Sequence, residues 1–332
     1  MKAVRTDREL EMGGLDAALR ARGVEVVLLP DGAPEETIIR ELRDADLLLM
    51  CYTPVSARII ASAPKLKGIV KYGVGIDAID IPAARARGIP VVNVPAYAEE
   101  TVAEGAFALM LGLARRFKAI QHEIDASGWA WPTARWLGQD LSGATLGLVG
   151  VGRIGRSMAR MAAAFRMRVL GFDPRLAADF PGERREDLVS MLAECDFVSI
   201  HCVLNAQTRH LVGAAEIAAM KPLAFLINVS RGEIVDEAAL LAALQAKRIA
   251  GAALDVYGRE PLARNSHPLS GLYAMDNVIL WPHLTFYTRQ AMHRLEEETL
   301  ARCVEILEGK PVLVKSTDPR LRAQTQGVRF PD

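Results

Sequence analysis

The sequence has no excess of charge of either sign: Lys plus Arg and Asp plus Glu both number 40 over 332 residues. Without a net basic field, capture of nucleic acid or of an anionic membrane surface is not expected. Cysteine is scarce, and Cys51, Cys195, Cys202 and Cys303 are scattered without a CxxC pair. That spacing gives neither a zinc site nor a disulfide framework, so buried free thiols are expected. The six histidines form no HExxH cluster, which argues against a protein-held metal. His201 and His210 read as strand-end or loop packing. No apolar run reaches the roughly 18 residues that span a bilayer, and Met1 to Leu10 lacks the apolar middle of a signal peptide. A soluble cytoplasmic protein is the expectation. What the chain does have is apolar residues, 51% of the total, enough for packed cores rather than disorder.

One segment carries specific chemistry. The strand-like run Thr145 to Val149 empties into Gly150-Val151-Gly152-Arg153-Ile154-Gly155, followed by a helical stretch, Ser157 to Phe165. A second apolar strand, Arg168 to Phe172, then ends on Asp173, about 20 residues beyond the turn. Gly150 permits the tight bend, Gly152 lets backbone approach a pyrophosphate, and Gly155 lets helix and strand pack closely. Asp173 supplies a carboxylate for the adenosine ribose hydroxyls. A GxGxxG alone is weak; this strand, helix and acid around it make a dinucleotide site.

The turn falls near the middle of the chain, which leaves room for a complete domain before it. In that first part Glu25 to Leu29, Ala45 to Met50, Gly68 to Tyr72 and Val91 to Val94 read as strands between helices. An open parallel sheet with helices on both faces fits. One long helix is expected from about Glu99 to Ile124. After it, Trp129, Trp131 and Trp136 lack the accompanying positive charge of a base-stacking platform, so packing is expected. From Thr145 onward the alternation returns, with Val169 to Asp173, Phe197 to Cys202, Phe225 to Val229, Gly251 to Val256 and Val278 to Leu280 as further strands. Six parallel strands would make a doubly wound sheet. The tail from about Val314 to Asp332 reads as an arm or flexible end.

In such sheets ligands gather at the carboxyl ends of the strands. Arg231 follows Asn228-Val229-Ser230, Asp255 and Glu260 follow Ala253-Leu254, and His283 follows Ile279 to Pro282. A cation, carboxylates and an imidazole on one edge suit hydride transfer to a carbonyl beside a carboxylate. Arg231 offers a planar fork that orients the substrate carboxylate. His283 donates a proton to the oxygen as negative charge develops there. Glu260 bonds the other ring nitrogen, which fixes the ring and favours its protonated form.

The motifs Lys71-Tyr72-Gly73-Val74-Gly75-Ile76-Asp77, Asn93-Val94-Pro95, Glu100 to Glu104, Gly147 to Gly155, Asn228 to Gly232, Ala253 to Val256, Glu260-Pro261-Leu262 and Trp281-Pro282-His283 run through nearly the whole chain. Together they resemble the D-isomer-specific 2-hydroxyacid dehydrogenases. The resemblance implies an α/β protein of two doubly wound parallel-sheet domains, a Rossmann cofactor domain (99–289) inserted into a flavodoxin-like substrate domain (1–98 and 290–332). It implies Arg231, Glu260 and His283 as the catalytic set. Asp255 is then expected at the nicotinamide amide, and Thr101 beside the cofactor with Gly150, Gly152, Arg153, Ile154, Gly155, Asp173 and Ser230. Val74 and Gly75 offer amides to the substrate carboxylate. The resemblance also implies domain closure that excludes water, and a homodimer through the cofactor domain.

Departures from the usual pattern bear on ligands. Val203 stands where relatives commonly have proline, on the adenine side. The bulky run Leu284-Thr285-Phe286-Tyr287-Thr288 looks more like the D-lactate dehydrogenase branch; with Tyr52 and Tyr72 it either narrows the pocket or donates a hydroxyl, or else simply packs at the domain interface. No basic cluster favours phosphoglycerate, and Glu260 in place of glutamine disfavours formate. Asp173 favours NAD, with Arg175 nearby as the feature that would admit NADP. The leading expectation is an NAD-dependent enzyme interconverting a small 2-keto acid and its D-2-hydroxy acid, with no metal. The alternatives are an NAD(H)-responsive binding protein of the C-terminal-binding corepressor type and a phosphite dehydrogenase.

Overall fold

A computed structural model of the chain describes residues 1–176 and 179–331. It begins with β1 (Lys2–Arg5), α1 (Gly13–Ala21), β2 (Glu25–Leu28), α2 (Glu35–Leu42), β3 (Leu47–Met50), α3 (Ala57–Ala61), β4 (Gly68–Lys71), α4 (Ile81–Ala86) and β5 (Val91–Asn93). The five strands pair in parallel in the order β2-β1-β3-β4-β5, the flavodoxin-like winding. Leu47 to Met50 are wholly buried, as strands covered on both faces must be. Strand β1 was not expected from the sequence, because two charged residues bracket only Ala3 and Val4. Burial of Arg5 is possible because Asp16 takes its Nε and Nη2 at 2.9 and 2.8 Å while the Leu10 carbonyl accepts from Nη1. A buried cation is tolerated when paired and hydrogen-bonded in this way.

The chain then enters α5 (Glu99–Ala114) and α6 (Phe117–Ser127). The single helix expected over Glu99 to Ile124 is therefore broken. Arg116 adopts left-handed backbone at φ 56°, and Gln139 donates its amide to the Ala114 carbonyl at 2.8 Å, closing off α5. Lys118 binds the Met275 and Val278 carbonyls at 2.8 and 2.9 Å, which ties the new helix to the sheet beyond. The tryptophans that follow were expected to pack within the chain. Instead Trp129 and Trp131 are 62% and 74% exposed, touching each other edge to face, and only Trp136 is partly covered, under Arg135.

A second sheet follows through β6 (Thr145–Val149), α7 (Arg153–Ala164), β7 (Arg168–Phe172), β8 (Glu183–Arg184), α8 (Leu188–Glu194), β9 (Phe197–Ile200), α9 (Ala214–Ala219), β10 (Phe225–Asn228), α10 (Glu237–Gln245), β11 (Gly251–Leu254) and β12 (Val278–Leu280). Its order is β12-β11-β10-β9-β6-β7-β8, all parallel. The strand order reverses at β6, the switch point of a Rossmann sheet. Alternate residues feed two cores: Leu146, Leu148, Phe197, Phe225 and Ile227 on one face, Val149, Val198, Ile200 and Leu226 on the other. The seventh strand, β8, exceeds the six expected. It has no apolar residue, and is held instead by Arg168, whose Nε and Nη2 grip Glu183 at 2.7 and 2.8 Å.

The last part of the chain is α11 (Arg289–Leu307), β13 (Val312–Leu313), α12 (Pro319–Arg322) and β14 (Val328–Arg329). Two compact units result, Met1–Ala98 with Thr288–Asp332, and Glu99–Tyr287. Glu296 of α11 accepts the Gly14 amide at 3.0 Å, and Ile306 packs against Gly68, so the helix closes the first sheet. The tail is folded rather than a loose arm. Leu321 is wholly buried, and Gln324 pairs with both the amide and the carbonyl of Val91, at 2.7 and 2.9 Å. One glutamine thus occupies the open edge of β5. Leu321→Ala is expected to cost about 2–5 kcal/mol of stability, as a cavity in a closed core does; a urea midpoint equal to wild type would show that this segment is not packed.

Candidate active site

The glycine turn is built as the sequence suggests, with helix α7 starting at Arg153, earlier than expected. Gly150 has φ 92°, and a Cβ there would lie 2.4 Å from the Cys202 amide nitrogen. A Cβ on Gly155 would strike the Gly150 carbonyl at 2.4 Å, whereas one on Gly152 would meet no protein atom within 4 Å. Gly150 and Gly155 are thus required by packing, and Gly152 faces open space. Gly152 also caps α7, and as glycine it has no side chain to bond the first amides. Amides at a helix start beside open space suit a pyrophosphate. At the end of β7 the Asp173 carboxylate accepts the amides of Val151 and Arg175, both at 2.8 Å, which closes the turn. Around it, Arg153 pairs with Glu99 at 2.8 Å, Ile154 packs on the core, Thr101 is buried, and Val203 is 62% exposed after β9. Ser230 donates its hydroxyl to the Cys202 carbonyl and so links the loops after β9 and β10.

Three neighbouring strands deliver the remaining groups. Arg231 follows β10 and donates Nη1 to the Ser230 carbonyl at 2.7 Å. Asp255 follows β11 and His283 follows β12. His283 sits in left-handed backbone at φ 59°, a conformation that persists only where the surroundings impose it. Asp255 does the imposing. Its carbonyl accepts the His283 amide at 2.8 Å, and its carboxylate accepts the amides of Leu284 (2.8 Å) and Thr285 (3.1 Å) and the Thr285 hydroxyl (2.6 Å). Only 1% exposed, Asp255 thus braces the loop that carries His283.

Nδ1 of His283 lies 2.9 Å from Oε2 of Glu260, and the other carboxylate oxygen accepts the Tyr257 amide at 3.0 Å. The Tyr257 hydroxyl is shared between the carbonyls of Leu254 and Trp281, at 3.0 and 2.9 Å, stitching the ends of β11 and β12. Gly232, beside Arg231, leaves room for this loop: a Cβ there would lie 2.0 Å from the Tyr257 carbonyl carbon. Burial acts to raise the Glu260 carboxyl, but the His283 hydrogen bond and charge, the Tyr257 amide and the Arg231 guanidinium together hold it below its ordinary value. Arg231, Glu260 and His283 thus influence one another within a single unit. Phe286 adds a ring edge-on to His283, and Tyr287 beyond it is 44% exposed. By contrast, burial pushes His201 down to about 4, and its Nε2 meets the Ser199 hydroxyl at 2.9 Å, as a packed neutral histidine should.

In the first unit, Tyr52 and Val74 are exposed on the loops after β3 and β4, with the Val74 carbonyl and Asn93 amide group joined at 2.6 Å and Gly75 alongside. Tyr72 does not belong with them. It is wholly buried and gives its hydroxyl to the Thr6 carbonyl, so it has none to offer a substrate. Sequence reading missed Asp7, whose buried carboxylate collects the amides of Cys51 (2.7 Å), Tyr52 (3.0 Å) and Thr53 (3.0 Å) and the hydroxyls of Thr6 and Thr53 (both 2.6 Å). The signal was there only for a reader who had recognised β1.

Residues 107–285 match the family described as D-isomer specific 2-hydroxyacid dehydrogenase, NAD binding domain. The chain belongs to this family. It is 38% identical over 308 residues to a glyoxylate reductase of Korarchaeum cryptofilum, covering 90% of this chain and 92% of that one. Among solved structures it is similar to a D-lactate dehydrogenase from Aquifex aeolicus complexed with NAD and lactic acid (TM-score 0.83, 30% identity, 92% and 96% covered). It is also similar to an NADPH-dependent glyoxylate/hydroxypyruvate reductase from Sinorhizobium meliloti in complex with NADP and malonate (TM-score 0.81, 27% identity, 92% and 93% covered). The protein is an NAD-dependent oxidoreductase of this family, and the described residues hold no helix long and apolar enough to cross a membrane.

A carboxyl held low on folding favours the native state above its unfolded pKa and loses that effect as pH falls through its folded pKa. For Glu260 the stabilisation is complete above an unfolded value near 4.5 and fades below it. Below that value the gap in urea midpoint between wild type and Glu260→Gln should therefore shrink as pH falls. A gap that instead widens below about pH 4.5 would contradict the Glu260 environment described.

Proposed function

We propose that this enzyme interconverts a small 2-keto acid and its D-2-hydroxy acid, with His283 as the proton donor in reduction and the acceptor in oxidation. The observation that carries this is the 2.9 Å bond from Glu260 to His283 Nδ1, on the same sheet edge as Arg231. Arg231 binds the substrate carboxylate through its fork and turns the adjacent carbonyl toward the hydride. The exposed Tyr287, beyond His283, contacts the remainder of the substrate. NADH, when bound, supplies the hydride. As charge develops on the carbonyl oxygen, His283 protonates it, and the Glu260 carboxylate stabilises the ring that carries that proton. Tyr257 keeps Glu260 in place through its amide.

The amides of Gly152, Arg153, Ile154 and Gly155 face the pyrophosphate, Thr101, Val203 and Ser230 flank the cofactor, and Asp173 receives the ribose hydroxyls. A carboxylate repels a ribose 2′-phosphate, so NAD is preferred over NADP, with Arg175 limiting the margin. A panel of glyoxylate, pyruvate and hydroxypyruvate followed by NADH absorbance tests the reaction. Turnover on at least one of them is expected, lost by a factor on the order of 100 or more in His283→Ala while NADH still binds. Tight NADH binding without turnover of any keto acid would overturn the reading, and phosphite-dependent NAD reduction would replace it. In the same assay Asp173→Ala should move the preference toward NADPH; an unchanged ratio removes Asp173 from the ribose.

We also infer a homodimer through the cofactor unit. Trp129, Trp131, Phe117 and Leu137 on and after α6 are each more than half exposed, and large apolar side chains left open in this number mark an association surface. A second copy fits because the segment carries no strong charge to select a different partner. Sedimentation should show a dimer that Trp131→Glu shifts toward monomer. A wild-type monomer at assay concentration would refute it.

A further inference from the structure

At the carboxyl edge of the first sheet, Lys71 ends β4 almost fully buried, 5% exposed. A buried ammonium ordinarily demands an anion. Among the described residues, no carboxylate forms an ion pair with it. Its Nζ is directed at Cys51, donating to the carbonyl and lying 3.3 Å from Sγ. Cys51 is itself 7% exposed, pinned from the other side by its backbone amide, which donates a hydrogen bond to the Asp7 carboxylate at 2.7 Å. The packing is close: a Cβ on Gly73 would come within 3.1 Å of Lys71 Nζ and 3.8 Å of Cys51 Sγ. Sulfur and nitrogen therefore stay together.

We propose that Cys51 and Lys71 form a site of reversible oxidative cross-linking, in which a peroxide joins sulfur to nitrogen across the ends of β3 and β4. The pair can hold its shared proton on nitrogen, as thiolate and ammonium, which provides the missing counter-charge and makes the sulfur nucleophilic. The thiolate attacks one peroxide oxygen and the O–O bond breaks. The Lys71 ammonium gives its proton to the departing hydroxide, so that water leaves and Cys51 becomes a sulfenic acid. Lys71 is now a neutral amine beside an electrophilic sulfur. Its lone pair attacks Sγ, the S–O bond breaks, and the hydroxide takes a proton from nitrogen to leave as a second water. The product is an S–N bond; peroxide is reduced, and Cys51 is oxidised by two electrons. A thiol would reverse the step by attacking the same sulfur.

The bridge would fix the Cys51 to Thr53 loop and remove the ammonium that lies 5.6 Å from the centre of the Tyr52 ring. The proposal does not depend on the keto-acid reading, because its product is covalent. The full-length protein, treated with a modest excess of hydrogen peroxide and alkylated, is digested with trypsin and mapped by mass spectrometry. The expected product is segment 44–58 joined to segment 68–85, lighter than the sum by two hydrogens, with cleavage after Lys71 lost. Dithiothreitol should restore both peptides, and Lys71→Arg should abolish the joined one. Oxidation of Cys51 to sulfinic acid with Lys71 still cleaved overturns the proposal, as does Cys51 remaining a thiol while methionines oxidise. Both outcomes are read on the wild type, so a variant that fails to fold leaves the test intact.

Discussion

The register of three parallel strands is the constraint on which the chemistry rests. Asn228 of β10 pairs with Leu254 of β11, which pairs with Leu280 of β12. Once those residues are level, the chain that leaves each strand emerges at the same edge. Arg231, Asp255 and His283 are then neighbours although the sequence separates them widely. A slip of one residue in any of the three would turn a strand's side chains to the opposite face. The cores on both faces resist it, since Ile227 and Leu226 each have a buried place of their own.

A single device recurs at both sheet edges. An aspartate, buried to 1% exposure, stands just after one strand and gathers the amides of the loop after the neighbouring strand. In the first unit Asp7, after β1, holds Cys51 to Thr53 beyond β3; in the second, Asp255, after β11, holds Leu284 and Thr285 beyond β12. Both residues would be costly to bury without these bonds. With them, the carboxylate converts a flexible loop into a rigid mount. Left-handed backbone accompanies each mount, at Asp7 with φ 57° and at His283 with φ 59°. Rigidity matters because a proton donor must meet its target within a narrow range of distance.

Sequence reading succeeded where local composition and packing ask for the same thing. Apolar runs such as Leu47 to Met50 and Phe197 to Ile200 make buried strands in almost any context, and the glycine turn declares itself because only glycine satisfies its φ and its close approaches. It failed where a polar residue takes over the work of an apolar one. Strand β1 carries a buried arginine satisfied by Asp16, β8 is held by Arg168 and Glu183, and the tail is secured by the side chain of Gln324. The helix break at Arg116 likewise depends on Gln139 and Lys118, whose partners lie far along the chain. None of these bonds leaves a periodic trace.

The candidate site divides along the same line. The chain order and residue types of Arg231, Glu260 and His283 were legible because strand ends can be located from apolar runs and their chemistry read from side-chain type. That Glu260 grips Nδ1 of His283, that Asp255 braces the loop carrying that histidine, and that Tyr72 is sealed inside its unit were decided only by tertiary structure. Strand position is a property of nearby residues and their hydrophobicity. Which hydrogen-bond partner a polar group finds depends on what the fold brings within 3 Å of it, and that is set by the whole chain at once.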